Sequence, residues 1–197
     1  MTDAPTARDA RVDVLLAGSL TPPGVVSTCT LVRSGEVVAV VDPGMARRQT
    51  DITDALRAHG LRPEAVTDVI LGHHHPDHTM NVALFPVARV HDHWAIYAGW
   101  DWTDRDAEGY ELTPAVRLIR TPGHTAEDIT TLVGTPAGIV ALTHLWLHAG
   151  AGPSEYDEDP AACTASRERV LAVADVIVPG HGAPFRVDGA AYHPPHG

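Results

Sequence analysis

Val66-Thr67-Asp68-Val69-Ile70-Leu71 runs without a break into Gly72-His73-His74-His75-Pro76-Asp77-His78. The first six residues are short and apolar, which predicts a strand over 66–71. The next seven form a turn dense in donor atoms. Imidazole and carboxylate are ordinary ligands for divalent ions. On an extended turn His73 and His75 point the same way and can grip one ion. Asp77 and His78 open the next helix and can reach a second. A His-rich surface turn is the plain alternative, but H-x-H-x-D-H in this order seldom arises by chance. His74 holds the variable position and is expected to point away from any ion.

Working outward, other strands also end on histidine. Ala115–Ile119 leads to Thr121-Pro122-Gly123-His124, Gly138–Thr143 leads to His144, and Val176–Val178 leads to Pro179-Gly180-His181-Gly182. Sites built from several strand ends are common in layered α/β folds. The remaining pattern is of the same kind. Val12–Ala17 reads as a first strand. Val25–Arg33 and Val37–Asp42 read as a hairpin, as do Ile129–Val133 and Gly138–Thr143. Helices are expected over 51–59, capped by Thr50 or Asp51 and ended by Gly60, over 79–85, and from Asp159-Pro160 to about Ala174. Residues 88–91 read as a strand and 97–111 as an exposed loop. One α/β domain over 12–187 is expected, with 1–11 and 188–197 as loose tails.

The blocks 72–78, Thr121–Thr125 and 179–182, in this order and spacing, resemble the metallo-β-lactamase superfamily across nearly the whole chain. The stretch from Asp159-Pro160-Ala161-Ala162 through Ser166–Leu171 to Pro184–Val187 is similar to the metallo-β-lactamase domain-containing protein 1 type. The resemblance implies an αββα sandwich: two mixed β-sheets face to face, with helices outside and metals at one edge. It places His73, His75 and His124 on a first metal, and Asp77, His78 and His181 on a second. It implies two divalent ions, zinc first, with iron or manganese suited to the same donors. The activity implied is hydrolysis of an ester, amide, thioester or phosphoester by a metal-bound hydroxide, with Asp77 orienting or deprotonating the water.

One position departs from that pattern. A metal-bridging Asp is expected at the end of the 138–143 strand, and His144 stands there. Either His144 no longer touches metal or it is a terminal ligand. An imidazole offers one lone pair where a carboxylate spans two ions, so His144 would bind without bridging and donate its other N–H to an acceptor. The change removes a negative charge and favours an anionic small-molecule substrate. Other residues have plainer readings. Asp42 is expected to orient the motif loop. His91 and His93 are expected on a solvated loop, or else along a pocket wall, and His148 at the rim. Trp94, Tyr97, Trp100 and Trp102 suggest a lid or a homodimer contact, or simply an exposed loop.

Composition narrows the rest. The 197 residues carry a formal net charge of -11, and all 14 basic residues are Arg. Nucleic-acid binding leans on clustered cations, so this balance argues against it, and against a nuclease role. The 44% hydrophobic content is that of a globular chain. No apolar run is long enough for a membrane span, and the polar start has no signal-peptide core, so a cytoplasmic protein is expected. Cys29 and Cys163 are expected to be reduced and buried. Two rival functions remain: a mononuclear iron thiol or persulfide dioxygenase with a three-His site, and a non-catalytic metal-binding module.

Overall fold

The computed structural model describes residues 3–21 and 24–189. In chain order these carry β1 (Arg11–Leu16), β2 (Ser19–Thr21), β3 (Gly24–Val26), β4 (Cys29–Ser34), β5 (Val37–Val41), α1 (Gln49–Ala58), β6 (Asp68–Ile70), α2 (Pro76–Thr79), β7 (Arg89–His91), β8 (Ala95–Ala98) and β9 (Asp101–Asp104). They continue with β10 (Glu111–Thr113), β11 (Val116–Arg120), β12 (Ile129–Thr135), β13 (Gly138–Thr143), α3 (Pro160–Leu171), β14 (Val176–Pro179) and β15 (Phe185–Arg186). One sheet has the order β1-β4-β5-β6-β7-β8-β9, the other β10-β11-β12-β13-β14-β15, and β2-β3 is a small separate ribbon. Both large sheets are mixed: β5-β6-β7 and β13-β14 run parallel, and the other neighbours antiparallel.

Burial shows how the layers stack. Val32, Ala39, Val41 and Ile70 of the first sheet pack against Val116, Leu118, Ile129, Val133, Val140, Leu142 and Val178 of the second. On the first sheet's outer face, Leu31, Val40 and Val69 pack with Ile52 and Leu56 of α1. On the second sheet's outer face, Leu132, Ala141 and Ile177 pack with Cys163 and Val170 of α3. The αββα sandwich is thus built from strands with apolar residues on both faces.

The hairpin β4-β5 pairs Ser34 with Val37, and β12-β13 pairs Thr135 with Gly138, as the sequence predicts. Asp159 caps α3 through Ala161 N and Ala162 N, both at 3.0 Å. Helix α1 starts two residues earlier than expected. Its N-cap is Arg48, and Asp51 at N3 accepts from Arg48 N at 3.0 Å. Gly60, at φ +72, closes the helix: its N–H reaches Arg57 O, and Leu61 N reaches Leu56 O.

Four expectations need correction. The 97–111 loop holds most of the β8-β9 hairpin and the first residue of β10. Its alternation was masked by Asp and Gly, yet Trp102 packs edge-on against Tyr97 across the hairpin. The strand expected over 25–33 breaks at Ser27-Thr28, where Thr28 turns to donate N–H to Gly180 O at 2.7 Å. The helix expected over 79–85 is instead α2 followed by a 3₁₀ turn at Val82–Leu84. The segment 3–10, expected loose, is packed. Ala10 is fully buried, Ala7 N donates to Pro114 O, and Asp3 pairs with Arg169 at 2.6 Å. Of the other expected tail, 190–197 lie outside the described residues. No helix among the described residues is long and apolar enough to cross a membrane.

Candidate metal centre

The motif loop is held from behind by Asp42. This residue sits at φ +52, a left-handed conformation that costs a non-glycine residue about 1–3 kcal/mol. The strain aims its carboxylate: Oδ1 accepts from Gly72 N at 2.7 Å, and Oδ2 lies 3.0 Å from His78 Nδ1. His75 is extended at ψ 144 and Pro76 follows as the first residue of α2. Proline's fixed φ makes that abrupt change of direction. His73 and His75 therefore sit side by side on extended chain, and His78 turns into the interior.

All seven residues expected at the centre come together. Among the described residues three donor sets form, His73/His75/His124, Asp77/His78/His181 and His73/His78/His144, with the donor atoms of each set within 4.8 Å of one another. In the first set His75 Nδ1 lies 3.0 Å from His73 Nε2 and 3.1 Å from His124 Nε2. In the second, Asp77 Oδ2 lies 3.4 Å from His78 Nε2 and 3.5 Å from His181 Nε2. His144 is 6% exposed, and its Nε2 is 3.1 Å from His181 Nε2. A tetrahedral zinc at its usual bond length sets neighbouring donors about 3.3 Å apart. The residues fit such an ion. Imidazole nitrogens facing one another at these distances leave lone pairs without enough protons to join them, and a cation between them removes the conflict.

Electrostatics agree. Burial, then the neighbouring imidazoles, push His73 and His144 well below the usual histidine range, and burial and neighbouring imidazoles also lower His124. Burial lowers His181 too, although its Nδ1 donates to Val26 O at 2.9 Å. Neutral imidazole is the form that binds metal. His78 goes the other way: burial opposes its charge, but Asp42 and Asp77 outweigh it and raise the pKa.

Sequence reasoning missed several supports. Asp128, raised by burial to about 7, stands 3.9 Å from His73 Nδ1 and accepts from Thr125 N and Oγ1 at 2.9 Å. Asp157 Oδ1 lies 3.4 Å from His124 Nδ1. Asp128 is near enough to His124 in sequence to be suspected, whereas nothing local marks Asp157. The acceptor expected for the second nitrogen of His144 is absent among the described residues: Nδ1 is buried with no hydrogen-bond partner. The solvated-loop expectation is overturned for His91, which is fully buried with Nε2 2.8 Å from Asp68 Oδ1. His93 lines a cleft of about 430 Å³ with Trp94, Asp104, Arg105, Asp106 and Arg120. His148 is exposed, and among the described residues its ring bonds to its neighbour's carbonyl, Ala149 O. His74 turns aside to Glu127 at 2.9 Å and Asp92 at 3.2 Å.

The sequence profile of the metallo-beta-lactamase superfamily matches residues 22–196. The chain belongs to that superfamily. It is 37% identical to metallo-beta-lactamase domain-containing protein 1 of Xenopus laevis over 164 residues, covering 78% of this chain and 70% of the frog protein. It is equally identical to the Homo sapiens protein of that name over 165 residues, covering 79% of this chain and 62% of the human one. Among solved structures, a putative metallo-beta-lactamase from Thermotoga maritima superposes with a TM-score of 0.74 at 20% identity, over 91% of this chain and all of that one. An N-acyl homoserine lactone hydrolase, with its product bound at the catalytic metal center, gives 0.63 at 21% identity, over 92% and 94%. A protein in a di-iron-bound form gives 0.66 at 22% identity, over 88% and 95%. At these identities the structural likeness establishes the fold.

Proposed function

We propose that this protein is a metal-dependent hydrolase acting on an ester, amide, thioester or phosphoester that carries negative charge. The observation that carries this reading is the approach of His73 Nε2 and His124 Nε2 to within 3.0 and 3.1 Å of His75 Nδ1 at the end of the sandwich. His73, His75 and His124 would hold one divalent ion, and Asp77, His78 and His181 the other, with zinc the first expectation. Bound there, such ions supply Lewis-acid activation of water and of the substrate's oxygen. The side chains do the rest. Asp157 stands behind His124 and can orient its ring, while Asp128 lies 3.9 Å behind His73 Nδ1 without a hydrogen bond to it. Asp77 can take the proton of the attacking water at Oδ1. His75 alone of the first trio is exposed, so it faces the side from which substrate arrives.

Negative charge on the substrate is supported by two features. His144 stands where a carboxylate would add an anion to the centre. The cleft beside Trp94, whose ring lies 5.2 Å from His74, contains Arg105 and Arg120. The test is metal analysis of purified protein, followed by turnover of a panel of anionic and neutral esters, thioesters and phosphoesters. Metal-dependent turnover that favours the anionic members is expected. Folded, metal-loaded protein inert across the panel would remove the reading.

A further inference from the structure

We propose that His144 completes the second trio to four protein donors, so that this ion is closed off and only the His73/His75/His124 ion keeps an open position. The inference rests on the metal-dependent reading above. Its physical root is the single lone pair of a neutral imidazole, which commits His144 to one ion. The geometry says which. His144 Nε2 lies 3.1 Å from His181 Nε2, the same separation that joins His124 to His75 in the first trio. His181 Nε2 in turn lies 3.5 Å from Asp77 Oδ2, which lies 3.4 Å from His78 Nε2. Asp77, His78, His144 and His181 are thus linked by successive contacts into a chain of one oxygen and three nitrogens, and His144 also lies within 4.8 Å of donors on His73 and His78. Four-donor sets of this kind mark structural zinc sites, and three donors with a vacancy mark catalytic ones.

The fold builds a seat for His144 in this position. A Cβ on Gly180 would fall 2.3 Å from His144 Cδ2, so the ring lies where any side chain at 180 would stand. The chain after His144 is tied to the chain around His181: Gly180 N donates to Trp146 O and His181 N to Leu147 O, at 2.9 and 2.8 Å. From α3, Arg167 donates Nε to Leu145 O at 2.8 Å and Nη1 to Ala151 O at 3.0 Å. Its guanidinium lies over Trp146, 4.9 Å from the ring centroid. These contacts fix His144 and His181 relative to each other, as two donors to one ion require. The plain alternative is a hydrogen bond between the two imidazoles with no ion involved.

The experiment refills metal-free protein with Co²⁺, counts ions per chain, and follows the visible spectrum as azide is added. Two ions are expected, one changing its spectrum with azide and one not. In His124→Ala the retained ion should be four-coordinate and blind to azide. His144→Ala should weaken that same ion by on the order of 10²-fold and leave the other's affinity unchanged. X-ray absorption on the unaltered protein counts imidazoles per ion and needs no variant to fold. Two ions that both respond to azide, or an unchanged affinity in folded His144→Ala, would overturn the inference while leaving the hydrolase reading intact. Folded protein that takes up no ion would overturn both.

Discussion

Two groups of buried histidines in this molecule have opposite surroundings. His91, fully buried on β7, has a carboxylate 2.8 Å from its Nε2, and the same Asp68 oxygen is 2.8 Å from the Arg89 guanidinium. Its Nε2 is answered locally, within strands β6 and β7. His73, His124, His144 and His181 instead find other imidazole nitrogens at 3.0–3.1 Å. Burial of a polar group is costly unless it is paired, and one N–H can join only two of several facing imidazole nitrogens. The first group has its Nε2 answered by protein, while its Nδ1 is buried without a partner among the described residues. In the second, a cation would take up the lone pairs that face one another. A buried histidine is thus read by what its nitrogens face, not by its burial.

The largest test of that contrast is to remove one ring from each group. His73→Ala should lower kcat/KM by on the order of 10³-fold with loss of bound metal, measured by turnover and metal analysis. His91→Ala should keep its metal and turnover. If His91→Ala loses metal, the two groups are not independent.

Metal removal comes next. Ions that bind only the folded state stabilise it by about 4 kcal/mol at a thousandfold excess over Kd, so verified stripping should lower Tm by on the order of 10 °C. Calorimetry with and without added metal checks this; an unchanged Tm would mean that the imidazole cluster is stable as it stands. His91→Ala should be less costly, at about 3 kcal/mol in denaturant unfolding, because it strips a partner from the fully buried Asp68. Its penalty should be the same with or without metal.

Smaller effects sharpen the comparison at its edges. Asp157→Asn should weaken the His124-side ion about 10-fold, since it removes the charge facing His124 Nδ1. A competitive chelator titration reads this, and no change would show that His124 needs no help in facing the ion. Asp92 joins the motif loop to the β8 hairpin. Burial pushes its pKa up, but hydrogen bonds from His74, Tyr97, Trp94 N and Ala95 N prevail and hold it at about 2. A folded pKa below the unfolded one stabilises above the unfolded value and is lost as pH falls through the folded one. Asp92→Asn should therefore cost about 1 kcal/mol at pH 7, with the gap narrowing as pH falls from about 4 toward 2. Denaturant curves across that range check the sign; a gap that widens in acid would mean that Asp92 is not held ionised by these bonds.

Local pattern alone determined a good deal. Strand hydrophobicity, the Asp159-Pro160 helix start and Gly60 set most elements, because each reflects chemistry between near neighbours. The histidines at 73, 75, 78, 124, 144 and 181, with Asp77, were also legible, since each follows a strand or opens a helix. The β8-β9 hairpin was not, because its exposed residues lack an apolar alternation and its pairing is made by backbone hydrogen bonds to β7. Nor was the packing of residues 3–10, which depends on Arg169 and Pro114 more than a hundred positions away. Tertiary structure alone decided which way each buried nitrogen faces. His91 meets Asp68 only because β6 and β7 are parallel neighbours. His144 meets His181 only because β13 and β14 are parallel neighbours and Gly180 leaves room for the ring. A residue's type states what it can bind, but its partner is set by strands that pair across long stretches of chain, and no local pattern encodes that pairing.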